Sequence, residues 1–197
     1  MKYLKWETAQ NLVAAIRSPV TRGAAEFLLL TGARVSEALQ VTVADVDWLN
    51  EVVYVPTLKR RRTVKREIPI WCEALRKVIS AATRRAKRRT ARLFPITRQA
   101  VNKALKKAAE EVGVPPELAH PHVLRHSLAM HLTLEGMPAP LLQKLLGHAQ
   151  LTSTQVYTEH AAAKEIRQWL QRACHLTPRR MTSQRRIQRR KTYDMGR

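Results

Sequence analysis

Hydrophobic positions along the chain recur first at helical spacing, then alternate, then return to helical spacing. Trp6 to Arg17 reads as a helix with Leu12, Val13 and Ile16 on its apolar face and Thr8 as its cap. Val20 to Thr31 reads as a second, more buried helix that Gly32 should end. Arg34 to Leu39 begins a third. Its Val35, Ala38 and Leu39 face inward, which leaves Arg34 and Glu37 one turn apart on another face. The period then changes. Val41 to Val46, Glu51 to Thr57 and Val64 to Ile70 are expected strands, with a turn at Leu49-Asn50 and a basic turn, Lys59-Arg60-Arg61-Arg62, between the last two.

From Glu73 onward the helical period returns. Glu73 to about Arg89, Thr97 to Val112, His122 to Leu134 (introduced by Pro121), Ala139 to Leu146 and Ala161 to Cys174 are the expected helices. Ser153 to Tyr157 is a further short segment of one or two turns. In Ala161 to Cys174 the stripe Ile166, Trp169 and Leu170 can pack on its own domain or dock on a neighbouring copy, and the pattern leaves both open. The fold class is thus mainly α with a small three-stranded antiparallel sheet. Residues 1–177 form one domain, and 178–197 form a basic tail. That tail carries eight basic residues and one acid, has almost nothing to bury, and is expected to stay disordered until it meets a phosphate backbone.

Charge narrows the choice of partner. Lys and Arg number 36 against 15 Asp and Glu, a net charge of +21, which favours a polyanion because basic side chains on phosphates release condensed counterions. Arg84, Arg85, Arg88 and Arg89 form a second basic run and are expected to bind DNA, as are Arg60, Arg61 and Arg62. Cys72 and Cys174 lie far apart with no metal-binding spacing, which fits a reduced compartment. No signal peptide and no membrane span is legible, so the cytoplasm is the expected location.

Four motifs carry the chemistry. They are Thr31-Gly-Ala-Arg-Val-Ser-Glu-Ala-Leu39, Leu58-Lys59 on the hairpin, His122-Val-Leu-Arg-His126, and Leu146-Gly-His148 with Tyr157 nine residues later. Cleaving a phosphodiester needs a nucleophile, an acid for the leaving oxygen and cations for the crowded phosphorane. Arg34 and Arg125 can each grip non-bridging oxygens through a planar fork. His148 is a further donor to that phosphate. Lys59 can protonate the leaving oxygen from a mobile turn, with Lys65 as the runner-up. His122 can donate to the phosphate or assist proton transfer with Tyr157. Glu37 holds Arg34 or its helix. His122 and His126 are four apart, a spacing that can bind metal, but no nearby carboxylate or thiol completes a site.

The order and spacing of these motifs resemble the catalytic domain of the tyrosine recombinases, also called the phage integrase family, from about Trp6 to about Trp169. The resemblance implies site-specific cleavage and rejoining of double-stranded DNA through a 3′-phosphotyrosyl intermediate on Tyr157, without metal, cofactor or ATP. It implies Arg34, Arg125, His122, His148 and Lys59 as the other catalytic residues, with His126 structural. It also implies a homo-oligomer on DNA, four protomers on two duplexes. Two departures matter. The hairpin lacks the Lys-Gly-x-Lys-x-Arg pattern of the family, and the chain starts almost at the catalytic domain, as in short members similar to the fimbrial-switch recombinases. The chain then relies on one domain and its tail, or needs an accessory DNA-binding protein. A type IB topoisomerase and a non-catalytic DNA-binding protein of the same fold are the alternatives.

Overall fold

The computed structural model describes residues 3–57, 64–147, 166–167 and 169–171. Within these the molecule is mainly helical with one three-stranded antiparallel sheet. Its centre is α2 (Pro19–Thr31), which packs against α1 (Trp6–Ala14) on one side and later helices on others. Ser18 caps α2 by accepting the Thr21 N–H, and Pro19 supplies a preset first turn. Phe27, Leu28, Leu29, Leu30 and Thr31 are all buried, so this helix has almost no solvent face near its end. The cap expected at Thr8 is not used. Lys5 stands at the N-cap of α1, and Thr8 lies within the helix.

The end of α2 is a finished structure. Gly32 takes φ +62°, the left-handed conformation that glycine adopts without strain, and its N–H reaches Leu28 O. The Thr31 hydroxyl donates to Phe27 O at 2.6 Å and the Trp71 indole N–H to Leu30 O at 3.0 Å. The chain then enters α3 (Val35–Ala38) with Arg34 at the N-cap.

The first expected strand is mostly something else. Val43–Asp45 form a turn of 3₁₀ helix, and β1 is only Val46–Asp47. Asp45 is responsible, because its carboxylate accepts from both the N–H and the hydroxyl of Thr42 and closes the turn. β2 (Val52–Thr57) and β3 (Val64–Pro69) pair in a single register that sets Val53 opposite Ile68 and Val55 opposite Arg66. One face of this pair is core: Val53, Val55 and Ile68 are fully buried.

α4 (Glu73–Arg85) is shorter than its pattern suggested. Ala86 is extended, so Arg88 and Arg89 leave the helix and join a loop. That loop hydrogen-bonds the segment before β1, through Ala44 N–H to Arg89 O at 2.8 Å and Leu93 N–H to Val41 O at 2.9 Å. α5 (Arg98–Val112) starts on a Thr97 cap and ends on Gly113. α6 (Pro121–Leu134) packs on α2, and α7 (Ala139–Leu146) ends at Gly147 with φ +69°. Leu4 N–H donates to Ser127 Oγ at 2.9 Å and Trp6 stacks on His131 at 4.3 Å, so the N-terminal segment is fastened to α6.

Ile166 and Leu170 are buried in the chain's own core, at 3% and 0% exposure, and Arg167 donates to Asn50 O. In this single chain the stripe packs on its own domain. The short segment Ser153 to Tyr157 and the basic tail from Pro178 onward lie outside the described residues.

Candidate active site

Glu37 is the centre of a buried charge cluster. Its side chain is fully enclosed, although the helical pattern had set it on a face apart from the core. One carboxylate oxygen accepts from Arg34 Nη1 at 2.8 Å. The other accepts from the Arg34 backbone N–H at 3.1 Å and from Arg66 Nη1 at 3.0 Å. Glu37 therefore closes the first turn of α3 from its third position and fixes a guanidinium at the same time.

The second arginine predicted from sequence comes to the same place. Arg125 sits in α6 with 5% exposure, and its Nη1 donates to Gly32 O at 2.5 Å. The left-handed turn at Gly32 thus aims a carbonyl at one predicted arginine while its next residues deliver the other. Arg66, on β3, completes the group. Three guanidiniums gather around one carboxylate, so the pocket keeps a net positive charge. Burial, together with Arg34 and Arg66 nearby, pushes Arg125 down to about 10 even though Glu37 opposes the shift. Arg125 Nη2 and Arg66 Nε and Nη2 are buried and meet no acceptor among the described residues. This is an electropositive cluster with unused donors, a condition that favours an anion.

Burial by itself would raise the Glu37 carboxyl, but Arg66 and then Arg34 outweigh it and hold the group below its ordinary value. His122 is exposed on the first turn of α6. Partial desolvation of its ring, and then the positive neighbours His120, His126, Arg125 and Arg34, depress it below the usual imidazole value. His122 is therefore neutral at pH 7 and able to take a proton. His126, half-buried one turn on, is depressed by burial and Arg125. Among the described residues no three His, Cys, Asp or Glu side chains stand together as a metal site.

Lys65 lies on the opposite face of β3 from Arg66. Its ammonium meets Asp45 at 2.5 Å, and burial of that carboxylate is outweighed by Lys65 and Thr42, which keep it below its ordinary value. Arg84, Arg85, Arg88 and Arg89 are not part of the buried cluster. All four are exposed, at the end of α4 and in the loop that braces the Thr42–Asp45 turn. Tyr157, His148, Lys59, Arg60, Arg61 and Arg62 lie outside the described residues. A cleft of about 300 Å³ between the α1–α2 turn and α5, lined by Ala15, Ile16, Ala104 and Lys107, shares no residue with the cluster.

Arg66 is the member that sequence reasoning missed. The signal was present. Counting back by two from the apolar Ile68 puts Arg66, not Lys65, on the buried face of the strand. A charged residue in a core row is the informative exception.

The sequence profile described as the phage integrase family matches residues 2–164. This chain belongs to the phage integrase family. It is 34% identical over 149 residues to the tyrosine recombinase XerD of Bifidobacterium longum, an alignment covering 68% of this chain and 47% of that protein. The chain spans about half the length of the curated relatives it matches. Among solved structures, the integrase from mycobacterium phage Brujita superimposes with a TM-score of 0.70 at 20% identity, over 92% of this chain and 61% of that one. The XerH site-specific recombinase bound to its difH substrate gives a TM-score of 0.62 at 21% identity, over 83% and 54%. These likenesses establish the fold, a phage integrase catalytic domain. No described helix is long and apolar enough to cross a membrane.

Proposed function

We propose that this chain is a tyrosine-type site-specific DNA recombinase. The observation that carries the reading is the buried cluster: Arg34 and Arg125, 91 residues apart in sequence, are brought to one net-positive pocket by Glu37 and the Gly32 carbonyl. A phosphodiester is the anion that suits two planar forks in an electropositive site, and the pentacoordinate phosphorane gains charge that they can meet. The substrate is double-stranded DNA, in keeping with the net charge of +21 and the exposed run Arg84, Arg85, Arg88 and Arg89. Family membership and the DNA-bound XerH relative support the same substrate.

In this mechanism the Tyr157 phenol attacks the scissile phosphorus and its proton passes to neutral His122. The bond to the 5′-oxygen breaks, and Lys59 supplies the proton that the leaving oxygen needs. A 3′-phosphotyrosyl ester replaces the original ester, so no external energy source is required. Attack by a 5′-hydroxyl of the partner strand runs the same steps backwards. His148 donates to the phosphate beside the arginines. The ion pair of Lys65 with Asp45 favours Lys59 over Lys65 as the acid. By the same reading four protomers act on two duplexes in the cytoplasm, and the chain either relies on its one domain and basic tail or takes an accessory DNA-binding protein as a further partner.

The test uses a library of duplex fragments carrying 5′-bridging phosphorothiolates, whose thiol leaving group cannot re-attack. The full chain should form a detergent-resistant protein–DNA adduct, and the recovered DNA should share a site. Tyr157→Phe should abolish the adduct. Lys59→Ala should fail on ordinary phosphate and recover on phosphorothiolate, because a thiolate leaves without an acid. DNA binding with no adduct overturns the reading in favour of a binder. Adducts at unrelated sequences, with relaxation of plasmid, overturn it in favour of a topoisomerase.

A further inference from the structure

We propose that Arg66 is a positioning residue for phosphate capture: it holds Glu37 between itself and Arg34 and seats the turn at Gly147 that leads into His148. The inference rests on the recombinase reading for its consequence and on geometry for its substance. Arg66 occupies the core row of β3, opposite Val55. An apolar side chain there would complete the face made by Val53, Val55 and Ile68. The guanidinium instead reaches Glu37 at 3.0 Å with its side chain 10% exposed.

The same Nη1, with the Cδ behind it, lies against the end of α7. A Cβ built on Gly147 would stand 3.1 Å from Arg66 Nη1 and 3.2 Å from its Cδ. A Cβ at this position would be a tight contact that the Arg66 side chain must yield to, and the turn requires the positive φ that glycine tolerates. One side chain thus meets three pieces of chain: β3, which follows in sequence the basic segment carrying Lys59; the first turn of α3, where Arg34 sits; and Gly147, the residue before His148.

The groups that face Glu37 are Arg34 from the start of α3, Arg66 from β3 and Arg125 from α6. Burial is the largest influence on the carboxyl and acts to protonate it, and Arg66 is the strongest opposing charge. Without Arg66 the carboxyl takes a proton at higher pH, and a neutral carboxyl holds Arg34 weakly. The role of Arg66 therefore has a readout beyond stability.

The experiment compares the full chain with Arg66→Gln and Arg66→Lys. Glu37 is titrated by ¹³C NMR of its side-chain carboxyl, the order of Arg34 is followed through its Nε–H resonance, and the pH profile of adduct formation is measured on the phosphorothiolate library. In R66Q the Glu37 titration should rise by about one pH unit or more, the range expected for losing a cation at contact distance. The Arg34 line should broaden, and the acid limb of adduct formation should move up with the carboxyl. R66K keeps the charge but not the fork and should give a smaller shift in the same direction, which also serves if R66Q does not fold. An unmoved Glu37 titration in a folded variant overturns the proposal, as does an adduct profile that falls uniformly at every pH. If the unaltered chain forms no adduct on any DNA, the recombinase reading fails, and the two NMR measurements still decide the role of Arg66.

Discussion

At the residue scale, one enclosed carboxylate compensates several cations, and that makes Glu37 the most sensitive position in the site. Removing one partner of a buried ion pair leaves the others uncompensated. Glu37→Ala should therefore destabilise the chain by about 3–5 kcal/mol, read from urea unfolding. Glu37→Gln, which keeps the shape, should destabilise it less while still loosening Arg34. A stability equal to that of the parent would contradict the buried cluster. Acid sensitivity has its origin in the same groups. Glu37 and Asp45 are held below their ordinary values of 4.5 and 3.8, and burial holds His131 below 6.5. In each case the unfolded chain binds the proton first as pH falls, so stability declines with acidification. The decline should come in two steps. The first begins near the usual histidine value, where the unfolded chain takes up protons that the buried neutral imidazoles refuse, and finishes below it. The second begins near the ordinary carboxylate values and finishes below them, and E37Q should shrink only this second step in a pH series of melting curves.

At the element scale, the connection between α2 and α3 does more for the site than either helix. Gly32 ends α2, turns the chain toward Arg34 and presents its carbonyl to Arg125. An added Cβ there would lie 2.6 Å from Leu146 Cδ2 and 3.2 Å from Leu128 Cδ2, on a backbone that already needs positive φ. Gly32→Ala should destabilise the fold by about 1–3 kcal/mol and lower adduct formation beyond what that loss explains. Adduct formation that merely tracks the folded fraction would reduce Gly32 to a cap. The C-terminal stripe makes a second prediction. Leu170 is fully buried in its own domain, so Leu170→Ala should destabilise by about 2–5 kcal/mol, independent of protein concentration. A loss seen only above a threshold concentration would place the stripe on a neighbouring copy instead.

At the scale of the whole molecule, the proposed function gives the approach to DNA to long-range charge and the chemistry to the buried cluster. A net charge of +21 predicts an affinity that falls steeply with salt. Arg88 and Arg89 stand on a loop braced by the Thr42–Asp45 turn, away from the buried pocket. Replacing both with alanine should weaken binding to all duplexes alike and flatten the log–log salt slope by roughly 0.9 for each phosphate no longer neutralised. The rate of adduct formation at saturating DNA should remain. A slope unchanged by the double substitution would remove this loop from the interface.

Much of the fold is legible in the sequence by itself. Local periodicity marks nearly every helix, because burying one face of a helix leaves a mark every three or four residues. Turn chemistry names Gly32 as a stop, since the chain there needs a left-handed backbone. Motif order points to Arg34 and Arg125. Three things required the tertiary structure. The Val41 to Val46 segment looks like a strand until the Arg89–Leu93 loop takes its backbone hydrogen bonds and holds the Thr42–Asp45 turn. Glu37 looks like a face residue until the packed chain encloses it. Arg66 looks like one more cation in a basic stretch until strand pairing turns it inward, against Glu37 and the end of α7. Local pattern reports which groups are hidden along one element. Which charges meet, and which of them one carboxylate must hold, depends on segments distant in sequence coming within hydrogen-bonding reach, and only the packed chain decides that.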